Sequence, residues 1–112
     1  MKLKTLSSSD RTLVKKYLAL SRRELSAYAF ENIFLWKPLY DIRWGISDDC
    51  LCIFFQDKLG SFMCLPPLGR RVSPAAAREC FAHMDVSNRA SGGASRIENI
   101  EEKDAPFFSG EG

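Results

Sequence analysis

Five side chains that can bind soft metal ions lie in three segments of the chain: Cys50 and Cys52, Cys64, and Cys80 with His83. Zinc can use a Cys-x-x-His spacing on a helix, and Cys-x-Cys on a strand places both thiols on one face about 7 Å apart. No Cys-x-x-Cys pair accompanies them, however, and free cysteine is commonly a small apolar core residue. The sequence therefore favours four reduced thiols and predicts no metal site.

A catalytic pair built on histidine would have to use His83, the only histidine in the sequence. Cys80 lies three residues earlier, on the same helical face. No nucleophile signature surrounds either residue, and the motifs G-x-x-x-x-G-K-[ST], G-x-G-x-x-G and H-E-x-x-H are absent. A surface histidine is the simpler interpretation, so the catalytic residues stay unknown.

The segment LPPLGRR joins a glycine that exposes its backbone to two guanidinium groups, those of Arg70 and Arg71. Such a pair can grip a phosphate or a carboxylate of a ligand. A turn followed by a solvated basic pair is the alternative. Arg70 and Arg71 are therefore candidate ligand-binding residues.

The stretch SAYAFENIFLWKPLYDIRWGI, residues 26–46, is rich in aromatic side chains. Tyr28, Asn32, Trp36 and Tyr40 each bring a hydrogen-bonding group to an otherwise apolar face. A buried group of this kind must find a partner, either within the core or in a ligand. These four residues are further candidates for ligand binding, with structural pairing as the alternative.

Three helices are expected to position these groups. The first follows SSSD, whose polar side chains can cap it, and carries an apolar stripe. The second runs from about Leu25 to Leu35 and must stop by Lys37, because Pro38 disfavours helical backbone in the residue before it. The third begins at Ser73 and Pro74 and loosens beyond Asp85. Its apolar stripe is formed by Ala77, Cys80, Phe81 and Met84.

Strands are predicted between the second and third helices. Ile42, Trp44 and Ile46 alternate with more polar residues, a turn follows at residues 47–49, and CLCIFFQ and SFMCL continue as two more strands. The middle strand is apolar on both faces, so each face should be covered. The expected fold is α+β: two N-terminal helices, a three-stranded antiparallel meander and one further helix. Residues 96–100 form a weaker strand candidate.

Composition is consistent with one globular domain in 112 residues. The formal net charge of +2 is too nearly balanced to indicate nucleic-acid or anionic-membrane binding by itself. No apolar run approaches the roughly 20 residues that cross a bilayer, and the N-terminus lacks a secretory signal. The expected compartment is the cytoplasm.

A helix with Phe30, Asn32 and Trp36, a nearby Tyr40, and strands that end in the Pro-Pro-Leu-Gly turn of residues 66–69 occur in this order. In this the chain resembles the amino-terminal part of an uncharacterised bacterial family. That family is similar to the carboxy-terminal, catalytic domain of phosphatidylglycerol lysyltransferases. The resemblance implies two acetyltransferase-like (GNAT-like) halves, of which residues 1–100 would form the first.

On this resemblance, residues 101–112 form an irregular tail that begins a missing second half, which is expected to hold the donor and acceptor segments. The chain would be the amino-terminal portion of an acyl- or aminoacyltransferase-like protein, inactive alone, whose partner is that second half. It would bind no cofactor itself, with acyl-CoA or aminoacyl-tRNA as donor only for the complete enzyme.

The alternative function is a non-enzymatic interaction or ligand-binding module that docks a partner chain or self-associates. Phe107 and Phe108, together with any bare edge of the sheet, suggest it. The sequence shows no specific nucleic-acid site.

Overall fold

The computed structural model describes residues 1–21, 30–58, 60–71, 73–89 and 95–98. A 3₁₀ turn at Ser8–Asp10 precedes the first helix. The other elements, in chain order, are β1 (Lys4–Thr5), α1 (Arg11–Ser21), α2 (Phe30–Leu35), β2 (Asp41–Ser47), β3 (Cys50–Asp57), β4 (Gly60–Phe62) and α3 (Pro74–Arg89).

The strands form one antiparallel sheet in the order β1-β2-β3-β4. The α+β class is therefore confirmed, but the expected count of three strands is wrong. Lys4 and Thr5 pair with Trp44 and Arg43, which adds a fourth strand at the edge of the meander. Two residues are too few to show an alternating pattern, so pairing with β2 is what defines this strand.

β3 is buried on both faces, as its sequence predicts. Leu51, Ile53 and Phe55 belong to a first core that also contains Val14 of α1 and residues of α2. On the opposite face Cys52 and Phe54 belong to a second core. That core is closed by the α3 stripe of Ala77, Cys80, Phe81 and Met84. The middle strand is thus shared by two apolar layers, each covered by helices.

β2 departs from the predicted alternation. Ile42 and Trp44 are buried, but Ile46 is 42 % exposed, so its expected place in the core is wrong. Its cross-strand partner Leu51 is fully buried, but the β1–β2 ladder ends at the Lys4–Trp44 pair, so Ile46 lies beyond the end of β1. Gly45 is buried instead, beneath residues 1–3. An added Cβ there would lie 2.8 Å from Met1 Cγ and 2.9 Å from the Lys2 carbonyl oxygen, so a larger side chain would not fit.

The amino-terminal residues are held against α3 as well as against β2. The Met1 ammonium lies 3.1 Å from a carboxylate oxygen of Glu79, and the Ser47 hydroxyl donates to the same carboxylate. These two contacts, led by the Ser47 hydrogen bond, hold the pKa of Glu79 below its ordinary value. The N-terminus, β2 and α3 are therefore joined by one polar cluster.

The polar residues before α1 form a capping box around the 3₁₀ turn, and one of them also supports the core. The Ser7 amide donates to Asp10 Oδ2 at 2.9 Å, and the Trp44 indole donates to the same oxygen at 3.1 Å. Asp10 therefore supplies the partner that a buried tryptophan needs. The second helix is observed at Phe30–Leu35, and the rest of its predicted span, residues 25–29, lies outside the described residues.

α3 is capped as expected, since the Ala76 amide donates to Ser73 Oγ at 3.0 Å. It continues to Arg89, however, so the predicted loosening after Asp85 is wrong. Asn88, in the last turn, bonds both backbone groups of Ser61: it accepts from the amide at 2.5 Å and donates to the carbonyl at 2.9 Å. These bonds give the polar end of the helix a buried partner.

Ile97 forms an isolated parallel bridge with Met63, where a strand over residues 96–100 was expected. Residues 99–100 lie outside the described residues, as do the tail at 101–112, Phe107 and Phe108. None of the helices in the described part of the chain has the length and apolar character that a bilayer crossing requires.

Candidate functional site

Arg70 and Arg71 line a cleft of about 710 Å³ between the β2–β3 turn, α1 and the start of α3. This volume is in the range of small-molecule sites. The cleft also receives the cationic side chains of Lys16 and Arg78. We call it the basic cleft, defined by the four cations Lys16, Arg70, Arg71 and Arg78 and by the carboxylates Asp48 and Asp49.

The connector before Arg70 is fixed to the sheet. Leu68 and Leu51 exchange two backbone hydrogen bonds, each 2.8 Å long. At Gly69 an added Cβ would lie 3.0 Å from Cys50 Sγ and 3.3 Å from the Asp49 carbonyl oxygen. The glycine therefore allows close approach to the hairpin turn, and the two arginines follow at the exposed rim of the cleft.

The turn on the other side of the cleft has unusual backbone geometry. Asp48 and Asp49 connect β2 to β3 with φ angles of 48° and 61°, the left-handed values of a two-residue hairpin loop. Asp48 Oδ2 also accepts a hydrogen bond from the Ser73 hydroxyl, the cap of α3. The turn and the helix start are thereby coupled across the cleft.

Asp49→Gly is expected to stabilise the protein by about 0.5 kcal/mol, because glycine adopts left-handed backbone without strain while adding some entropy to the unfolded chain. Asp48→Gly is the matched control. It relieves the same kind of strain but removes the bond to Ser73, so it should destabilise. Thermal melting of both variants checks this, and equal shifts would contradict the assigned role of Asp48.

The lining of the basic cleft includes one thiol, that of Cys50, and its surroundings favour the protonated form. Cys50 is buried there, and its thiol donates to the Arg71 carbonyl at 4.0 Å. Burial, and then the neighbouring Cys52, Asp48 and Asp49, raise the pKa of Cys50 to about 11, against an opposing effect of Arg71. The thiol stays protonated, and thiolate is the nucleophilic form. The arrangement is suited to binding an anion rather than to attack by sulfur.

Two further thiols and the histidine lie in apolar surroundings. Cys52 and Cys80 are fully buried, and their mutual hydrogen bond, followed by burial, raises the pKa of Cys52 far above its ordinary value. His83 packs on the Phe54 ring with centroids 4.7 Å apart, and burial lowers its pKa. All four cysteines are free, and the described residues contain no group of three or more His, Cys, Asp or Glu placed to hold a metal.

The aromatic candidates lie in different surroundings. Tyr40 is partly buried and packs edge-on against Phe55 and Phe62, with centroids 5.7 and 5.5 Å away, as a structural residue would. Asn32 and Trp36 are exposed and line a second, shallow concavity. Tyr28 lies outside the described residues. Among the described candidates, Asn32, Trp36 and Tyr40 do not line the cleft that contains the two arginines.

Sequence reasoning found two of the four cations in the basic cleft. Lys16 stands on the polar side of α1 and Arg78 one turn after the Ser73 cap, so each alone resembles a solvated helix charge. Arg78 lies near the start of α3, which a connector could approach, but Lys16 lies in the middle of α1 and carried no signal in the sequence.

Comparison with models of protein families, with curated proteins and with solved structures finds no match to this chain.

Proposed function

We propose that the basic cleft binds a phosphate or carboxylate group of a ligand, and that the chain is the amino-terminal, GNAT-like portion of an acyl- or aminoacyltransferase-like protein. The observation that carries the binding is the convergence of Lys16, Arg70, Arg71 and Arg78 on one cleft. Two carboxylates leave this set with an excess of positive charge. Guanidinium groups are well matched in geometry to both kinds of oxyanion.

The transferase class rests on the resemblance and on the order of the elements. Two helices, a meander, the Pro-Pro-Leu-Gly connector and a third helix follow one another, and Ile97 then returns beside Met63. The donors that the resemblance implies, acyl-CoA or aminoacyl-tRNA, both carry phosphates. A cleft that holds phosphate is therefore consistent with this class.

Binding is tested by titrating the chain with inorganic pyrophosphate and, separately, with succinate in a calorimeter. The variant Arg70→Ala/Arg71→Ala should weaken binding by about tenfold or more, since a hydrogen bond to a charged group contributes roughly 1.5–3 kcal/mol. Arg43→Ala is the control, because Arg43 is an exposed cation that pairs with Asp41 and does not line the cleft.

Preference for pyrophosphate would assign a phosphate site, and preference for succinate a carboxylate site. Equal loss in the Arg43 variant would show only general charge attraction. No binding of either probe would contradict the anion site.

The transferase class needs a separate assay. Transfer from acyl-CoA or aminoacyl-tRNA to an amine or a lipid is measured with this chain and with one continued through a second GNAT-like half. Activity in the short chain would contradict the need for a second half. Absence of activity in the longer chain, with pyrophosphate binding intact, would favour the alternative, a module that binds an anionic ligand without turnover.

A further inference from the structure

Three apolar side chains at the end of α2 are unusually exposed. Leu35, Trp36 and Leu39 have 74 %, 48 % and 68 % of their surface accessible, and with Asn32 they line the shallow concavity of about 490 Å³. We call Leu35, Trp36 and Leu39 the apolar patch. Contiguous exposed apolar groups of this kind mark interaction surfaces.

The carboxylates on either side of the patch in the sequence are each paired with at least one cation. Glu31, before the patch, is paired with Arg11 and, at 3.2 Å, with Lys15. Asp41, after the patch, is paired with Arg43 at 3.0 Å. Each carboxylate therefore has a cation beside it.

Lys37 lies within the patch segment, directly after Trp36. Together with the three paired cations it gives four positive charges against two carboxylates, a formal charge of +2 over these six groups in the described part of the chain. The surroundings of the patch thus favour an anionic partner, although the near-balanced charge of the whole chain indicates none.

We propose that the apolar patch docks on the surface of an anionic lipid bilayer. Leucine side chains enter the boundary of the acyl region, tryptophan prefers the headgroup level, and lysine attracts anionic headgroups. Trp36 is supported from below by Tyr40, with ring centroids 6.1 Å apart, and Tyr40 in turn packs on Phe55 and Phe62. Ring contacts through Tyr40 therefore connect Trp36 of the patch to the folded core.

The size of the patch favours a bilayer over a protein partner. Three side chains offer on the order of 300 Å². A stable protein interface buries about 800 Å² on each partner, of which somewhat more than half, on the order of 450 Å², is apolar. Interfacial binding has no such threshold, because affinity grows with inserted apolar area and with attraction to anionic lipids.

The test uses the whole chain with vesicles of phosphatidylcholine alone, or with about a quarter phosphatidylserine. Trp36 fluorescence should shift to the blue with the anionic vesicles only. Trp44 should not respond, because it is 9 % exposed and bonded to Asp10. A Trp36→Phe variant should therefore lose the shift.

Leu35→Gln/Leu39→Gln should weaken flotation with anionic vesicles by about tenfold or more. Val86→Gln is the matched control, because Val86 is 67 % exposed on α3, outside the patch. Lys37→Glu should remove the preference for anionic vesicles.

Three results would overturn the proposal: no flotation, flotation that the double leucine variant leaves unchanged, or flotation lost only in Arg70→Ala/Arg71→Ala. Self-association that the leucine variant abolishes, seen by sedimentation without vesicles, would assign the patch to a second copy instead. Pyrophosphate binding should be unaffected by the leucine variant, so this outcome is independent of the basic cleft.

Discussion

Replacing Phe54 with alanine is expected to lower the free energy of unfolding by about 4 kcal/mol. Phe54 is 2 % exposed in the second core and packs against His83, so its removal leaves a cavity between β3 and α3. Because β3 also supplies the first core, the loss should destabilise both layers together. Urea denaturation followed by circular dichroism measures the change.

Trp44 reports the opposite layer. In a Trp36→Phe background Trp44 is the one remaining tryptophan, and it lies in the first core. If the two cores unfold together, its fluorescence should give the same lowered urea midpoint as circular dichroism. Separate midpoints would show that the two layers unfold independently. Val86→Ala is the control truncation, and at an exposed position of α3 it should change stability by no more than about 0.5 kcal/mol.

Asn88→Ala is expected to cost about 3 kcal/mol, although it removes only a small polar side chain. Asn88 is 3 % exposed, and its amide satisfies the N–H and the C=O of Ser61. Each backbone group left buried without a partner costs roughly 1–3 kcal/mol. Chemical denaturation gives the total, and hydrogen exchange of the Ser61 amide should accelerate locally.

Ser95→Ala is the control for that network. Ser95 Oγ accepts from Asn88 Nδ2 at 3.1 Å and donates to Asp85, but it does not touch Ser61. Its loss should cost about 1 kcal/mol or less and leave Ser61 exchange unchanged. If both variants behaved alike, the effect would belong to the Asp85–Ser95 contact rather than to the bonds with Ser61.

The spacing of apolar residues predicted most of the architecture, because the buried residues of a helix or strand lie on the face that packs against the core. The doubly apolar run of β3 correctly predicted two covered faces, and the α3 stripe supplied one cover. Patterns failed where neighbours distant in the chain decide. Ile46 follows the strand alternation yet is exposed, because it lies beyond the end of β1, and Gly45 is buried only because residues 1–3 cross it.

Two of the four cations in the basic cleft could be predicted, and the other two could not because they are distant from them in the chain. Arg70 and Arg71 are adjacent in sequence, so their pairing was visible, whereas Lys16 and Arg78 meet them only after folding. The hairpin turn was also visible, but its Asp-Asp sequence lacks the glycine typical of left-handed turns. That geometry became apparent only in the folded chain.

The hydrogen bonds from Asn88 affect whether a strand of another molecule can pair with the β4 edge of the sheet. The outward N–H and C=O of Ser61 both bond to the Asn88 side chain. The Met63 N–H donates to the Arg96 carbonyl, and the Met63 C=O accepts from the Glu98 amide. An incoming strand would have to break these four hydrogen bonds before it could pair with β4. Unpaired edges are templates for aggregation. The Asn88 side chain at the end of α3 therefore occupies hydrogen-bonding groups of the β4 edge, which disfavours addition of a strand from another molecule.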